Sequence, residues 1–247
     1  MTDQPFHIHH GDRASRWLVT CDHATNRVPE CVDGGSLGIA PADIGRHIAY
    51  DVGAAGLTRH LADRLGAPAI LTDFSRLVID PNRGEDDPTL VMKLYDGTVI
   101  PANRHVDAAE TERRLNAFHR PYHDALEGLA ARRVDTVICA IHSFTPRLVG
   151  RADRPWHVGI LYSHLDTRLA LPLLDLLRRE AGIVVGENEP YGGHLEGDSI
   201  DRHALRPGRP NVLIELRHDL IAAEDGQIAW ADRLAPILDA ALSASNL

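Results

Sequence analysis

Val134-Asp135-Thr136-Val137-Ile138-Cys139-Ala140-Ile141-His142-Ser143 is the stretch on which the fold turns. From Val137 to Ile141 every residue is apolar, far short of the roughly 20 residues that span a bilayer, so Val134 to Ile141 reads as a buried strand. Runs of the same kind recur at Trp17 to Cys21, Ala69 to Thr72, Leu77 to Ile79, His157 to Tyr162, Ile183 to Val185 and Val212 to Glu215. Between them apolar residues fall at three-and-four spacing, which marks helices. The helical stretches are Ile44 to Leu65, Leu115 to Leu129, Leu169 to Leu176, with Pro172 in its first turn, and Trp230 to Ala241. Strands alternating with helices argue for a mostly parallel sheet covered on both faces. The expected architecture is therefore α/β: a three-layer fold whose mixed, mostly parallel sheet is flanked by helices.

Length and composition narrow the function. At about 150 residues per domain, 247 residues allow one domain or two. The chain has no internal repeat, Gly/Ser-rich linker or long charge run, so residues 15–247 are expected to form a single domain behind a flexible leader, residues 1–14. A hydrophobic share of 44% with 25% charged residues suffices for a core and excludes disorder. Twenty-six Lys and Arg against 35 Asp and Glu give a net charge of −9, the wrong sign for a nucleic-acid partner. No apolar stretch reaches membrane-spanning length and the Met-Thr-Asp-Gln-Pro start has no signal-peptide core, so a cytoplasmic location without membrane contact is expected. Cys21, Cys31 and Cys139 form no Cys-x-x-Cys pair and read as reduced, mostly buried thiols. Fifteen histidines are the unusual count. His7, His9 and His10 fall in the polar leader, which points to adventitious metal affinity rather than a built site.

Motifs exclude several chemistries. No Gly-x-x-x-x-Gly-Lys-Ser/Thr or Gly-x-Gly-x-x-Gly cradle is present, and no Gly-x-Ser-x-Gly elbow. Four polar groups instead stand where apolar strands end, the rim on which such sheets carry their sites. They are His23 after Trp17 to Cys21, His142 after the decisive run, Glu215 in Ile214-Glu215-Leu216, and Asn82-Arg83 after Leu77 to Ile79. Two histidines ending two separate strands can converge on one metal ion, although either alone could be a hydrogen-bonded structural residue. A Glu buried at a strand end has a raised pKa, suited to a general base, unless it pairs with Arg217 or Arg83. The guanidinium of Arg83 matches a carboxylate, either a substrate's or a surface partner's.

With these residues in place the sequence resembles the N-formylglutamate amidohydrolase family and, more distantly, the zinc carboxypeptidases and aspartoacylases. The matching segments are Cys21-Asp22-His23-Ala24-Thr25-Asn26 with Pro29, Asp51, Ser75 to Arg83, Pro121-Tyr122-His123, His142-Ser143, Asn188 to His194, and Glu215. The resemblance implies a zinc-carboxypeptidase-like fold with zinc on His23 and His142. It also implies that Asn82 and Arg83 hold a substrate carboxylate, that Glu215 activates water, that Gly192, Gly193 and His194 form a loop near the substrate, and that Asn26 stands with these substrate-binding residues. The carboxypeptidase pattern is His-x-x-Glu, whereas Asn26 stands in the last place here. Asp51, which matches an Asp of the deformylase branch, is the expected third ligand, with Asn26 the second choice. Asp51 could instead cap a helix. Another divalent ion could replace zinc. The implied activity is metal-dependent hydrolysis of a small N-acyl amino acid such as N-formylglutamate. The alternatives are a carboxypeptidase or amidase acting on peptides, and a non-catalytic amino-acid-binding protein.

Overall fold

The computed structural model describes residues 4–245 and 247. Its strands are β1 (Phe6–His9), β2 (Trp17–Cys21), β3 (Ala69–Thr72), β4 (Leu94–Tyr95), β5 (Thr98–Val99), β6 (Val137–Phe144), β7 (Val158–Leu161), β8 (Val185–Glu187) and β9 (Asn211–Arg217). Seven of them form one sheet in the order β1-β3-β2-β6-β9-β7-β8, while β4 and β5 make a separate ribbon. Pairings β2/β3, β2/β6, β6/β9 and β7/β8 are parallel; β1/β3 and β7/β9 are antiparallel. The sheet is thus mixed and mostly parallel, as the alternating pattern predicts.

The helices are α1 (Pro41–Ile44), α2 (Ala54–Arg64), α3 (Ala108–Arg114), α4 (Arg120–Ala130), α5 (Ala170–Leu177) and α6 (Glu224–Ala244). A π-helical turn, Leu115–His119, joins α3 to α4, and a second spans Asp201–Leu205. Asp107 caps α3 by accepting a 2.9 Å bond from the Glu110 backbone N–H. Gly53 takes φ 80° before α2, where a Cβ would strike the Ile221 carbonyl. Among the described residues no helix is long and apolar enough to cross a membrane.

Side-chain alternation divides the core in two. Val137, Cys139 and Ile141 of β6 pack with Leu57, Leu61, Leu173 and Leu234 of α2, α5 and α6. Ile138 and Ala140 face the opposite layer, with Phe74, Ile79, Phe118, Tyr122 and Leu126. Since strand side chains repeat every two residues, His142 continues this second face at the end of β6. Glu215, its register partner on β9, lies beside it.

Several expectations change. Leu77 to Ile79 is a turn rather than a strand, although all three residues are fully buried. The carbonyls of Leu77 and Val78 are satisfied by side chains instead of a ladder: Asn103 Nδ2 donates to Leu77 O at 2.7 Å and Arg114 Nη1 to Val78 O at 2.8 Å. Residues 6–9, expected within a flexible leader, form β1 and cover the edge of β3, supplying partners for its exposed backbone groups. Strand β6 begins at Val137, because Val134 is fully exposed. The helical stretch from Ile44 to Leu65 is divided into α1 and α2 by the turns that carry Asp51. Cys21 and Cys139 are buried free thiols and Cys31 is exposed.

Candidate active site

The parallel run β2-β6-β9 brings three strand ends to one rim, and the polar residues found in sequence meet there. Asp51 reaches them from the turn before α2, tied by its backbone N–H to His23 O at 2.9 Å. Its Oδ2 lies 2.9 Å from His142 Nδ1 and 3.4 Å from His23 Nδ1, and it accepts the Ser143 backbone N–H at 3.2 Å. All three residues are buried, and each can offer a ligand atom within 4.8 Å of the others.

Carboxylates stand behind both rings. His23 Nε2 is 2.7 Å from Asp80 Oδ1, which leaves Nδ1 turned towards Asp51. Asp80 in turn accepts bonds from Arg76 Nη2 at 2.8 Å and from the Asn82 backbone N–H at 2.9 Å. His142 Nε2 lies 3.6 Å from Asp22 Oδ2, and Tyr122 donates its hydroxyl to Asp22 Oδ1. Two imidazoles and one carboxylate oxygen, each ring backed by an acid, match the donor set and outer partners of a divalent transition-metal site. Charge agrees with this fit. Burial opposes charge on His142, but the adjacent carboxylates of Asp22 and Asp51, the latter hydrogen-bonded at 2.9 Å, outweigh it and hold the imidazole well above its ordinary value. Burial also opposes charge on Asp51, yet His23 and His142 keep it well below the carboxylate range.

Glu215 is unlike its neighbours. It is 7% exposed, its Oε2 has no hydrogen-bond partner among the described residues, and burial pushes it up to about 7. The ion pairs that could have explained it are absent among the described residues. Arg217 binds Asp219 at 2.8 Å, and Arg83 donates to Thr89 Oγ1 at 3.0 Å and Asn82 O at 2.7 Å. A buried carboxyl with a free oxygen beside a metal-type donor set is equipped to accept a proton.

A cavity of about 320 Å³ joins these groups, lined by His23, Asp51, His142 and Glu215 and also by Asn82 and Arg83. Gly192, Gly193 and His194 form part of its wall. Arg83 has no carboxylate partner among the described residues, while Asn82 Oδ1 accepts the Ser199 backbone N–H at 3.2 Å. The two glycines differ. A Cβ on Gly193 would collide with the Tyr162 backbone and Asn188 Oδ1, whereas one on Gly192 meets nothing within 4 Å. Asn26 is not among the lining residues, and its Nδ2 donates to Ile44 O at 3.0 Å. The geometry therefore gathers Asp51, and not Asn26, with the two histidines.

Sequence reasoning gave no site role to Arg76, Asp80, Tyr191 or Asp198. Arg76 lines the cavity, bridges Asp80 and Asp51, and lies 5.5 Å from the Tyr95 ring centre. Its four-residue spacing to Asp80 was the available signal. Burial raises Tyr191 to about 12 and Asp198 to about 6, and both line the cavity.

The signature of N-formylglutamate amidohydrolases matches residues 15–222 of this chain. The chain belongs to the N-formylglutamate amidohydrolase family. Among solved structures, the gene product Atu2144 from Agrobacterium tumefaciens is 33% identical, with 100% of this chain and 98% of that one covered and a TM-score of 0.93. An N-formylglutamate amidohydrolase from Ralstonia eutropha JMP134 is 22% identical over 98% of this chain and 97% of its own, with a TM-score of 0.61. A metallo-carboxypeptidase from Pseudomonas aeruginosa is a remoter likeness, 13% identical over 93% of this chain and 57% of its own, with a TM-score of 0.42. No curated protein sequence matches.

Proposed function

We propose that this N-formylglutamate amidohydrolase family member hydrolyses the amide bond of a small N-acyl amino acid of the N-formylglutamate type. His23, Asp51 and His142 would hold the divalent ion, zinc or one of similar preference. The observation that carries the reading is Glu215, a buried carboxyl with one unpartnered oxygen beside the three donors. A bound ion would polarise the acyl oxygen and acidify water.

The protein's own groups do the rest. Glu215 accepts the proton from water and returns it to the leaving nitrogen, a role for which a pKa near the working pH is suited. Asp80 and Asp22 fix the orientation of His23 and His142, and Ser143 N–H holds Asp51 in place. Arg83, with Asn82 beside it, receives the substrate carboxylate as a planar fork. The cavity volume is near the small end of ligand sites, which favours an amino-acid derivative over a peptide. A merely binding protein would have no use for an unpaired carboxyl next to the donors, since it repels an anionic ligand.

The test is mass spectrometry of N-formyl, N-acetyl and N-succinyl amino acids incubated with metal-loaded and chelator-stripped protein. Release of free amino acid by the loaded protein alone is expected. Tight ligand binding without turnover under any loading would establish the binding-protein alternative instead.

A further inference from the structure

Three buried histidines lie outside the cavity, behind the loop that carries Asn82 and Arg83. His119 ends the first π-helical turn, His123 stands on α4 and His203 lies in the second π-helical turn. His119 Nε2 donates to Arg83 O at 3.1 Å, and His123 Nε2 to Pro81 O at 2.9 Å. The loop is thus held by two of its own carbonyls. Behind His123 the contacts continue: His123 Nδ1 is 2.8 Å from His203 Nε2, and His203 Nδ1 is 3.0 Å from Glu127 Oε2. The two rings are stacked, with centroids 5.1 Å apart.

Proton counting makes this chain unusual. A carbonyl can only accept, and Glu127 is an acceptor too, since hydrogen bonds from Arg209 at 2.7 and 2.9 Å keep its carboxyl down to about 2. His123 Nε2 and His203 Nδ1 must therefore both carry protons. The ring-to-ring contact then needs a third, whereas two neutral imidazoles hold only two. Satisfying all three contacts at once takes one excess proton, and the Glu127 carboxylate favours its charge on the His203 side. Without that proton one of the three contacts fails: two lone pairs face each other at 2.8 Å, the Pro81 carbonyl loses its donor, or His203 turns a lone pair on the Glu127 carboxylate.

We propose that Glu127, His203 and His123 form a proton-loaded relay that positions the Pro81–Arg83 loop, tightening the Arg83 carboxylate clamp when loaded and loosening it when the proton leaves. This rests on Arg83 being the clamp. His203 faces His123 and Glu127 from α4, with His119 beyond them, Arg202 and Arg209 from its own segment, and Asp22 from the end of β2. Burial lowers its proton affinity more than Glu127 raises it, so loading occurs on the acid side of the ordinary imidazole range. His119, His123 and His203 are positioning residues, since none of them lines the cavity.

The experiment follows metal-loaded, ¹⁵N-labelled protein through a pH titration by NMR, alongside KM and kcat for N-formylglutamate. The imidazole nitrogens of His123 and His203 should report one shared proton, and the backbone amides of Asn82 and Arg83 should shift with the same midpoint. KM should rise several-fold as the proton leaves while kcat changes little. Glu127→Gln, at a half-exposed position, should move that midpoint down by about one pH unit. His203→Gln should remove the pH dependence of KM and of both amides. Rings that stay neutral throughout, or a midpoint unmoved in Glu127→Gln, would overturn the relay. Amides that follow the rings while KM stays flat would keep the tether but refute Arg83 as the clamp.

Discussion

Replacing Glu215 with Gln should make the protein slower and, when metal-free, more stable. Burial moves the carboxyl from the usual 4.5 to about 7, so the folded state binds this proton more tightly than the unfolded chain does. Stability is fully present below the unfolded value and is lost as pH rises from about 4.5 through about 7. A shift of that size corresponds to about 3 kcal/mol of penalty at pH 8. Gln carries no charge and escapes it, but its amide remains buried and under-bonded, which costs about 1–2 kcal/mol. A net gain of about 1–2 kcal/mol is expected at pH 8, roughly 3–6 °C in Tm for a chain of this size, shrinking towards zero or reversing at pH 5. Turnover by the metal-loaded variant should fall by about 10²- to 10⁴-fold, the range for a lost general base. Thermal melts of chelator-treated protein at the two pH values, with kcat of the loaded enzyme, measure both effects. A Tm difference independent of pH would refute the raised pKa, and a rate within threefold of the parent would remove Glu215 from proton transfer.

His23→Ala, His142→Ala and Asp51→Ala should each lose most of the bound metal in elemental analysis, while Asn26→Ala keeps it; full occupancy in the first three would sink the donor assignment. Arg83→Ala should lower kcat/KM about 10²-fold for an N-acyl amino acid and leave the matching carboxamide nearly untouched, whereas equal losses would make Arg83 structural. Gly193→Ala should cost about 2 kcal/mol or more in denaturant titrations, because its Cβ would enter the Tyr162 backbone, and Gly192→Ala should stay within about 0.5 kcal/mol. Equal stability of the two variants would show that the loop can shift to accommodate either.

The sequence by itself determined what local pattern can determine. Short apolar runs marked β2, β6 and β9 as buried strands, and a change to polar residues at their ends marked His23, His142 and Glu215 as rim residues. That His142 and Glu215 share one face came from the register of β6 against β9 in the folded sheet. Where burial came without strand pairing, the same reading failed. Leu77 to Ile79 are as apolar as a strand, but side-chain amide and guanidinium groups satisfy the carbonyls of Leu77 and Val78, and no periodicity encodes that.

Only the tertiary structure decided which distant groups share one point. Asp51 comes 28 positions after His23, and the backbone bond between them, with the turns before α2, delivers its carboxylate while Asn26 turns away to Ile44. Asp80 reaches behind His23 for the same kind of reason, and so does the pairing of His123 with His203, 80 residues apart. Each such contact depends on how loops close over a rigid sheet. Composition and spacing carry the chemical types of these residues; the angstrom separations that turn them into a donor set, a general base and a proton-counted relay exist only once the sheet is assembled.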